Sequence, residues 1–394
     1  MKIAISGAGI GGAALAYWLL RTGREPTLIE KAPHLRSGGY MIDFWGTGYT
    51  VAERMGILPA VREAGYSVRE VRFVDDRGRR AGGFPVGLFH DVLNNRFISL
   101  PRGQLATEVF RSIEGRVETI FDDSIATLSE YHGGVDVAFE RSPARRFDLV
   151  VGADGLHSTV RKLAFGPESR FERDIGYRVA AFEVDGYRPR DELVYVSHTA
   201  PGRQISRFAE RHGRTLFLFV FAAEHMPGPE PRNIMDRRAT LRTVFAGLGW
   251  ETPHILAAMD EAQDIYFDRV SQIEMPAWSK GRVALLGDAA ACVSLLAGEG
   301  CGLALTEAYV MAGELARAGG DPVQAFARYE ERLRALIVSK QAVARKFAGA
   351  FAPRTAIGVW FRNQVTRLVN IPPLAELFLG RDLRDEMELP DYGI

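Results

Sequence analysis

The glycine pattern near the start of the chain constrains the fold more than any other feature. Gly7, Gly9 and Gly12 follow an apolar run at 3–5 and precede a stretch of helix-forming residues that ends before Gly23. In a Gly-x-Gly-x-x-Gly turn, the first glycine permits the tight turn, the second lets the backbone approach a pyrophosphate, and the third lets the helix pack on the strand. The pattern therefore predicts a strand, a turn and a helix whose free N–H groups can face phosphates.

An acidic residue extends this pattern. Glu30 ends the next apolar run and lies 18 residues after Gly12. An acid at this position accepts hydrogen bonds from the ribose of a dinucleotide. Glycine-rich turns alone are weak indicators, but the strand, helix and acid together predict a dinucleotide-binding βαβ unit.

The run at 3–20 carries no charged residue, so its length alone also fits a signal peptide or a membrane span. Its glycines are concentrated in one turn, which favours the strand–turn–helix interpretation. Cys292 and Cys301 are the only cysteines. Two cysteines cannot build a disulfide scaffold and are typical of a reducing compartment, so we expect a cytoplasmic protein.

Composition narrows the function classes. The 394 residues are 47% hydrophobic and 25% charged, which is typical of globular proteins, and the length exceeds one core of roughly 250–300 residues. Lys plus Arg and Asp plus Glu both number 49, so no basic excess favours nucleic acid as a partner. No H-x-x-x-H, C-x-x-C or G-x-S-x-G pattern indicates a metal site or an acyl-enzyme.

Apolar patterns predict an α/β fold in several pieces. Buried strands at 148–152 and 282–286 are typical of a parallel sheet, whereas the longer segments at 177–223 predict an antiparallel sheet with one covered face. We therefore expect three units: a discontinuous nucleotide-binding domain at 1–170 and 275–350, an inserted sheet domain that binds substrate at 171–274, and a C-terminal helical segment at 351–394.

Residues 354–370 of the C-terminal helical segment are predicted to form a helix with an apolar stripe of Ile357, Phe361, Val365 and Leu368 and with arginines nearby. A basic amphipathic helix can lie on a membrane. Packing across the two domains is the favoured interpretation, because most apolar stripes face a protein core.

Two later segments carry a family resemblance. Residues 152–161 read GADGLHSTVR and resemble a "DG" motif; residues 282–290 read RVALLGDAA and resemble a "GD" motif. With the glycine turn, these are similar to the three signatures of the class A FAD-dependent aromatic monooxygenases, the para-hydroxybenzoate hydroxylase-like flavoproteins. The motifs follow the family's order over most of the chain. The resemblance implies a Rossmann-like, GR2-type FAD-binding domain, and it is nearest to the tetracycline-inactivating, antibiotic-modifying branch.

The resemblance also implies a reaction. FAD would be the cofactor, NADPH or NADH and O2 the co-substrates, and a flavin C4a-hydroperoxide would hydroxylate an aromatic or polyketide-like small molecule. No acid–base set stands out, since this chemistry depends on the cofactor and on a dry, orienting pocket. The alternatives are a flavin halogenase, reductase or oxidase, or a non-catalytic flavin-binding sensor. A halogenase is disfavoured because W-x-W-x-I-P is missing.

The implied site residues contact different parts of the cofactors. Arg102 is expected at the FAD phosphates and Asp288 at the ribityl and pyrophosphate region. Asp154 and Arg161 of the DG motif are implicated with both FAD and NAD(P)H, partly by holding the loop. Arg36 is implicated with NADPH and Asp43 with FAD. Backbone N–H groups of one loop would face the flavin pyrimidine, and its residues are Gly298, Glu299, Gly300 and Cys301.

The chain also departs from the family pattern. Ala291 and Leu295 stand where many relatives carry histidine and proline, and Glu299 and Gly302 stand where many carry glutamine and asparagine. Glu299 either adjusts the flavin potential or points to solvent, and the second is favoured because carboxylates are rarely buried. Cys292 and Cys301 are expected to be packing residues rather than a redox pair.

Four cationic residues of the inserted sheet are candidates for an anionic substrate. For each of them a surface position is favoured over a role in the pocket. They are Arg178, Arg203, Arg207 and His225.

Overall fold

A computed structural model describes residues 1–35, 38–319, 321–368 and 387–394. The helices are α1 (Ile10–Arg21), α2 (Gly46–Arg54), α3 (Leu58–Ala64), α4 (Gly87–Val92), α5 (Arg102–Arg111), α6 (Thr159–Ala164), α7 (Ile234–Phe245), α8 (Thr252–Ala258), α9 (Asp288–Ala291), α10 (Gly300–Arg317), α11 (Pro322–Phe351) and α12 (Ala356–Leu368). The strands are β1 (Lys2–Ser6), β2 (Glu25–Glu30), β3 (Met41–Phe44), β4 (Glu70–Val74), β5 (Arg80–Pro85), β6 (Ile98–Pro101), β7 (Glu118–Phe121), β8 (Ile125–Tyr131), β9 (Gly134–Phe139), β10 (Arg145–Phe147), β11 (Leu149–Gly152), β12 (Glu172–Asp185), β13 (Val194–Ala200), β14 (Arg203–Ala209), β15 (Arg214–Ala222), β16 (Tyr266–Ile273), β17 (Ser279–Lys280) and β18 (Val283–Leu285).

A six-stranded sheet in the order β17-β18-β11-β1-β2-β7 forms the nucleotide-binding part of the fold. β1 pairs in parallel with β11, with Ile3 opposite Leu149, and in parallel with β2. β1 and β11 are buried almost throughout because helices cover both faces of a parallel sheet. The α/β fold predicted from the apolar runs is confirmed.

A seven-stranded sheet runs in the order β16-β12-β15-β14-β13-β4-β5. Its pairs are antiparallel except for β13 beside β4. Both faces are covered where β12 and β15 pair. Phe182 belongs to the core cluster under α7 and α8, whereas Val179 packs in a cluster that includes Ala348 of α11. The expectation of one covered face is therefore wrong, because α11 crosses the second face.

Two strands of this sheet, β4 and β5, come from residues 70–85, which precede the segment expected to form the inserted domain. The domain boundaries at 170, 274 and 350 stay a prediction. A separate two-stranded sheet, β3 with β6, was not expected, and it brings Asp43 opposite Ser99.

Helix α12 contacts β5 through its polar face. A Cβ on Gly82 would lie 2.9 Å from the carbonyl oxygen of Asn363, so glycine is required for this close approach. The Arg362 guanidinium lies 3.9 Å from the centre of the Phe73 ring. Ile357 is 79% exposed and Phe361 62% exposed.

The prediction that the apolar stripe of α12 packs between the domains is therefore wrong, because its polar side makes the contacts. Asn370 of the predicted helix lies outside the described residues. Within the described ranges, every helix is too short or too polar to span a bilayer.

Candidate functional site

A cavity with an empty volume of about 920 Å³ opens where three parallel strands end. The loops after β1, β11 and β18 form one wall, and β16 of the seven-stranded sheet contributes another. Open α/β sheets bind ligands at the carboxyl ends of their strands, so this is the expected position for a site. The lining includes Gly9, Ile10, Gly11, Tyr40, Ile42, Arg102, Gly155, Tyr266, Arg269, Ser271, Asp288, Ser294, Gly298, Gly300 and Cys301.

The three glycines of the first turn have different surroundings. Gly7 has φ +101°, and a Cβ there would lie 2.5 Å from the carbonyl oxygen of Ala153. A Cβ on Gly12 would lie 1.9 Å from the carbonyl oxygen of Gly7. Gly9 borders the cavity, and a Cβ there would meet no atom within 4 Å. Close packing of the backbone requires glycine at positions 7 and 12. Gly9 instead leaves room for a ligand, such as a pyrophosphate, at the start of α1.

Glu30 and Asp154 hold the turns beside the cavity. The Glu30 carboxylate accepts hydrogen bonds from the backbone N–H of Ala8 at 3.0 Å and of Ala32 at 2.9 Å. Asp154 accepts from the N–H of Thr159 at 2.8 Å. Each carboxylate fixes backbone that borders the cavity, and direct contacts from either to a cofactor stay a prediction.

A guanidinium and a carboxyl group both line the cavity. Arg102 starts α5, and Asp288 starts α9. Burial raises the pKa of Asp288, and the positive charge of Arg102 opposes that rise. Burial also raises the pKa of the Cys301 thiol to about 11, so this thiol is neutral. A guanidinium in a cavity suits phosphate, because its planar donors match two oxygens at once.

The loop at 292–301 closes the cavity on another side. Ser294 has φ +117° and Gly298 has φ +72°, so the chain turns sharply before α10 begins at Gly300. Gly298, Gly300 and Cys301 line the cavity. The N-terminus of this 18-residue helix carries a partial positive charge and can stabilise an anionic group.

Two predicted residues line a second crevice, of about 260 Å³, that includes Trp45. Asp43 accepts a hydrogen bond from the Ser99 hydroxyl at 2.5 Å, and burial raises the pKa of Asp43 to about 6 despite that bond. Glu299 forms an ion pair with Lys340 at 2.9 Å, and the Glu299 side chain is only 14% exposed. The favoured expectation that Glu299 points to solvent is wrong, because a buried cation contacts it.

The two cysteines are free thiols; Cys292 is buried in the core and Cys301 lines the cavity. Arg36 lies outside the described residues. The cofactor contacts assigned to the other predicted residues stay predictions, although six of them line one cavity: Gly9, Arg102, Asp288, Gly298, Gly300 and Cys301.

Sequence reasoning missed several residues of the site. Tyr266 and Arg269 come from β16, whose sequence matches no motif. Glu307 is buried in α10 beneath the GD motif, where it accepts hydrogen bonds from the Gly287 N–H at 2.6 Å and the Tyr329 hydroxyl at 2.9 Å. Burial raises the pKa of Glu307 to about 7. A carboxylate within the mostly apolar first part of α10, at 301–313, was the available signal for Glu307.

Arg161 joins the second and third signature segments. Its side chain is completely buried and donates to the carbonyl oxygen of Ala289 at 3.1 Å and to Glu168 at 2.7 Å. Buried guanidinium groups persist only with such partners. Arg161 therefore holds the loop after β11 against α9.

The four cationic candidates do not line the cavity in the part of the chain that the structure describes. Arg207 is 2% exposed and pairs with Asp191 at 2.7 Å and with Glu251 at 2.8 Å. Arg178 is 8% exposed and pairs with Glu230. The expected surface position is therefore wrong for these two arginines, which form ion pairs within the protein. Arg203 and His225 are half-buried.

His157 connects the DG segment to the seven-stranded sheet. Its Nε2 lies 3.2 Å from Asp268 of β16, and its Nδ1 lies 3.0 Å from Glu168. The hydrogen bond with Asp268, partly opposed by burial, and the bond with Glu168 raise the pKa of His157 to about 9. The imidazolium therefore joins two carboxylates at neutral pH.

We expect the stability contributed by His157 to depend on pH. Because the folded-state pKa is raised, the contribution is complete below the unfolded pKa of about 6.5 and is lost as the pH rises through about 9. The melting temperature of His157→Gln should lie below that of the wild type at pH 6, and the difference should vanish by pH 10. His132→Gln, at an exposed histidine, is the control. A difference in melting temperature that stays the same from pH 6 to pH 10 would contradict this role.

Comparison with known proteins gives concordant matches. The FAD binding domain family matches residues 135–345. A flavin-dependent monooxygenase from an unknown prokaryotic organism is 35% identical over 86% of this chain and 88% of its own length. The crystal structure of tetracycline destructase Tet(51) superposes with a TM-score of 0.84 at 31% identity, covering 99% of both chains. Klebsiella pneumoniae HpxO, complexed with FAD and uric acid, shares the fold with a TM-score of 0.80 at 24% identity, covering 98% of both chains.

Proposed function

Because the chain belongs to the FAD-binding-domain family of flavin-dependent monooxygenases, near the branch of the tetracycline destructases, we propose that it hydroxylates an aromatic or polyketide-like small molecule. In the balanced reaction, NAD(P)H supplies a hydride and becomes NAD(P)+, and solvent supplies one proton. One atom of O2 enters a C–H bond of the substrate as a hydroxyl, and the other leaves as water. The observation that carries the proposal is the single cavity that joins the glycine turn, Arg102, Asp288 and the start of α10.

The lining fits an elongated dinucleotide with a negatively charged centre. Gly9 and the first N–H groups of α1 would face the pyrophosphate, with Arg102 as the countercharge. Asp288 would accept hydrogen bonds from ribityl hydroxyls, and the loop at 298–301 would hold the ring system. When bound there, FAD supplies the transfer of electrons from NAD(P)H and the activation of O2.

Two tyrosines support an aromatic substrate. Tyr40 and Tyr266 line the cavity with their ring centres 5.9 Å apart. Burial raises the pKa of Tyr266 well above its ordinary value, so the hydroxyl stays protonated and donates its hydrogen bond to Asp268 at 3.3 Å, which fixes the ring in the lining. Aromatic faces favour planar rings by offset or edge contacts. Together they would orient the substrate and exclude water from the reacting carbon.

Arg269, which also lines the cavity, supports an anionic or strongly polar substituent on the substrate. Glu172 already contacts this guanidinium at 3.2 Å, so a substrate would share it rather than meet a bare charge. We also place the enzyme in the reducing cytoplasm, since both cysteines are free thiols.

The test is substrate-stimulated oxidation of NAD(P)H by the FAD-loaded protein. A panel containing a tetracycline, urate and simple phenols should include a compound that accelerates oxidation at least tenfold over the basal rate. The product should contain one atom from 18O2. Hydrogen peroxide is measured in parallel, because stimulated oxidation that yields only peroxide is uncoupled. A protein that binds no FAD on reconstitution, or a stimulated product without labelled oxygen, would overturn the proposal.

A further inference from the structure

The ion pair between Glu299 and Lys340 lies beside the loop at 298–301. Lys340 comes from the middle of α11, and its side chain is 7% exposed. Glu299 is the residue immediately before α10, between two glycines that line the cavity. The carboxylate is therefore adjacent in sequence to backbone that borders the candidate cofactor site.

We propose that Lys340 balances the charge of Glu299 and that this ion pair sets the redox potential of the bound FAD. The inference rests on the proposed function, because it requires FAD in the cavity. Glu299 and Lys340 are positioning residues here: Glu299 lines the second crevice, Lys340 pairs with it, and both act through the loop.

The position of Glu299 creates an electrostatic conflict that Lys340 resolves. The N-terminus of α10 carries a partial positive charge that favours an anion such as reduced flavin. A carboxylate at the same helix end opposes this effect. The ammonium group of Lys340, 2.9 Å from the carboxylate, cancels most of the opposing charge. In a site with little water, such a charge acts more strongly than it does at the surface.

Neighbouring bonds fix the position of Lys340. The adjacent Gln341 donates to the carbonyl oxygens of Ile273 at 2.9 Å and Cys292 at 3.1 Å. Gln272 of β16 donates to the carbonyl oxygens of Val293 and Gln341, both at 2.8 Å. α11 thus holds the start of the loop through Gln341 and its end through Lys340.

The two partners carry opposite charges, so their removal should shift the potential in opposite directions. Lys340→Met removes the cation that contacts Glu299 and should disfavour the more negative, reduced FAD. Glu299→Gln removes the anion and should favour the reduced cofactor. A role confined to packing would weaken FAD binding in both variants without this reversal of sign.

The experiment measures the two-electron midpoint potential of the FAD-loaded proteins at pH 8 by spectroelectrochemistry. We expect a tenfold change in the relative affinity for reduced and oxidised FAD, about 30 mV, negative for Lys340→Met and positive for Glu299→Gln. The Glu299→Gln/Lys340→Met double variant should return towards the wild-type potential. Lys346→Met removes an exposed charge from the same helix and should leave the potential unchanged.

Further measurements keep the inference falsifiable. Lys340→Arg preserves the charge and should retain the wild-type potential, even if Lys340→Met loses FAD. The melting temperatures of the apoproteins should fall in both single variants, because each breaks a buried ion pair. If the wild-type protein binds FAD but the midpoint potentials of the two single variants shift in the same direction, or do not shift, this inference alone is refuted. Wild-type protein that fails to bind FAD refutes the proposed function as well.

Discussion

Gly12→Ala should yield a protein that neither folds normally nor binds FAD. The new Cβ would lie 1.9 Å from the carbonyl oxygen of Gly7, which is backbone and cannot rotate away. Relief of this clash requires α1 to move from β1, where both elements are almost fully buried. We expect a loss of about 3 kcal/mol or more in the free energy of unfolding, measured by urea denaturation of the apoprotein.

Gly9→Ala is the matched variant in the same turn. Its Cβ would meet no protein atom within 4 Å, and Gly9 already has an extended conformation with φ −69°. The apoprotein should unfold within about 0.5 kcal/mol of the wild type. Its affinity for FAD should fall roughly 100-fold, equivalent to about 3 kcal/mol, because the methyl group enters the space left for the pyrophosphate. Unchanged FAD affinity in Gly9→Ala would contradict the assignment of this turn.

Arg102→Met should weaken FAD binding by roughly 10- to 100-fold, the value of one charged hydrogen bond at about 1.5–3 kcal/mol. The variant removes a guanidinium that lines the same cavity as Asp288 and whose charge acts on that carboxyl group. Isothermal titration of the apoprotein with FAD measures the loss. The effect should shrink at high salt, since part of it is electrostatic.

Arg111→Met provides the control for Arg102. Arg111 lies on the same helix, its side chain is 63% exposed, and it pairs with Glu108 three residues earlier. Such surface pairs contribute about 0–1 kcal/mol to stability, so the affinity of Arg111→Met for FAD should match that of the wild type. Equal losses in the two variants would indicate a general effect on α5 rather than a phosphate contact by Arg102.

The sequence predicted those parts of the site that depend on local backbone constraints. Gly7 needs a positive φ, and Gly12 needs the absence of a Cβ, so each is visible in the sequence. The DG and GD motifs likewise mark where buried strands end. The strands β1, β11 and β18 do end at one cavity. Local patterns were sufficient there because each constraint acts within a few residues.

The remainder of the site depends on contacts between distant segments, which a single sequence does not encode in recognisable form. Lys340 lies 41 residues after Glu299, in the middle of a long helix, and nothing in its neighbourhood distinguishes it from an exposed lysine. The prediction of how α12 packs was wrong for a related reason. The contact of Arg362 with Phe73 and the close approach that Gly82 allows turn the polar face of α12 to the sheet, which leaves the apolar stripe exposed.

β4 and β5 belong to the seven-stranded sheet but come from residues 70–85, and this has a practical consequence for dividing the enzyme into fragments. β13 pairs with β4 on one side, so a fragment containing only residues 171–274 would expose the backbone donors and acceptors of β13. Unpaired strand edges of this kind recruit other chains and promote aggregation. Exchange of the sheet between relatives should therefore transfer residues 70–85 together with 172–273, so that the recombined sheet retains its edge.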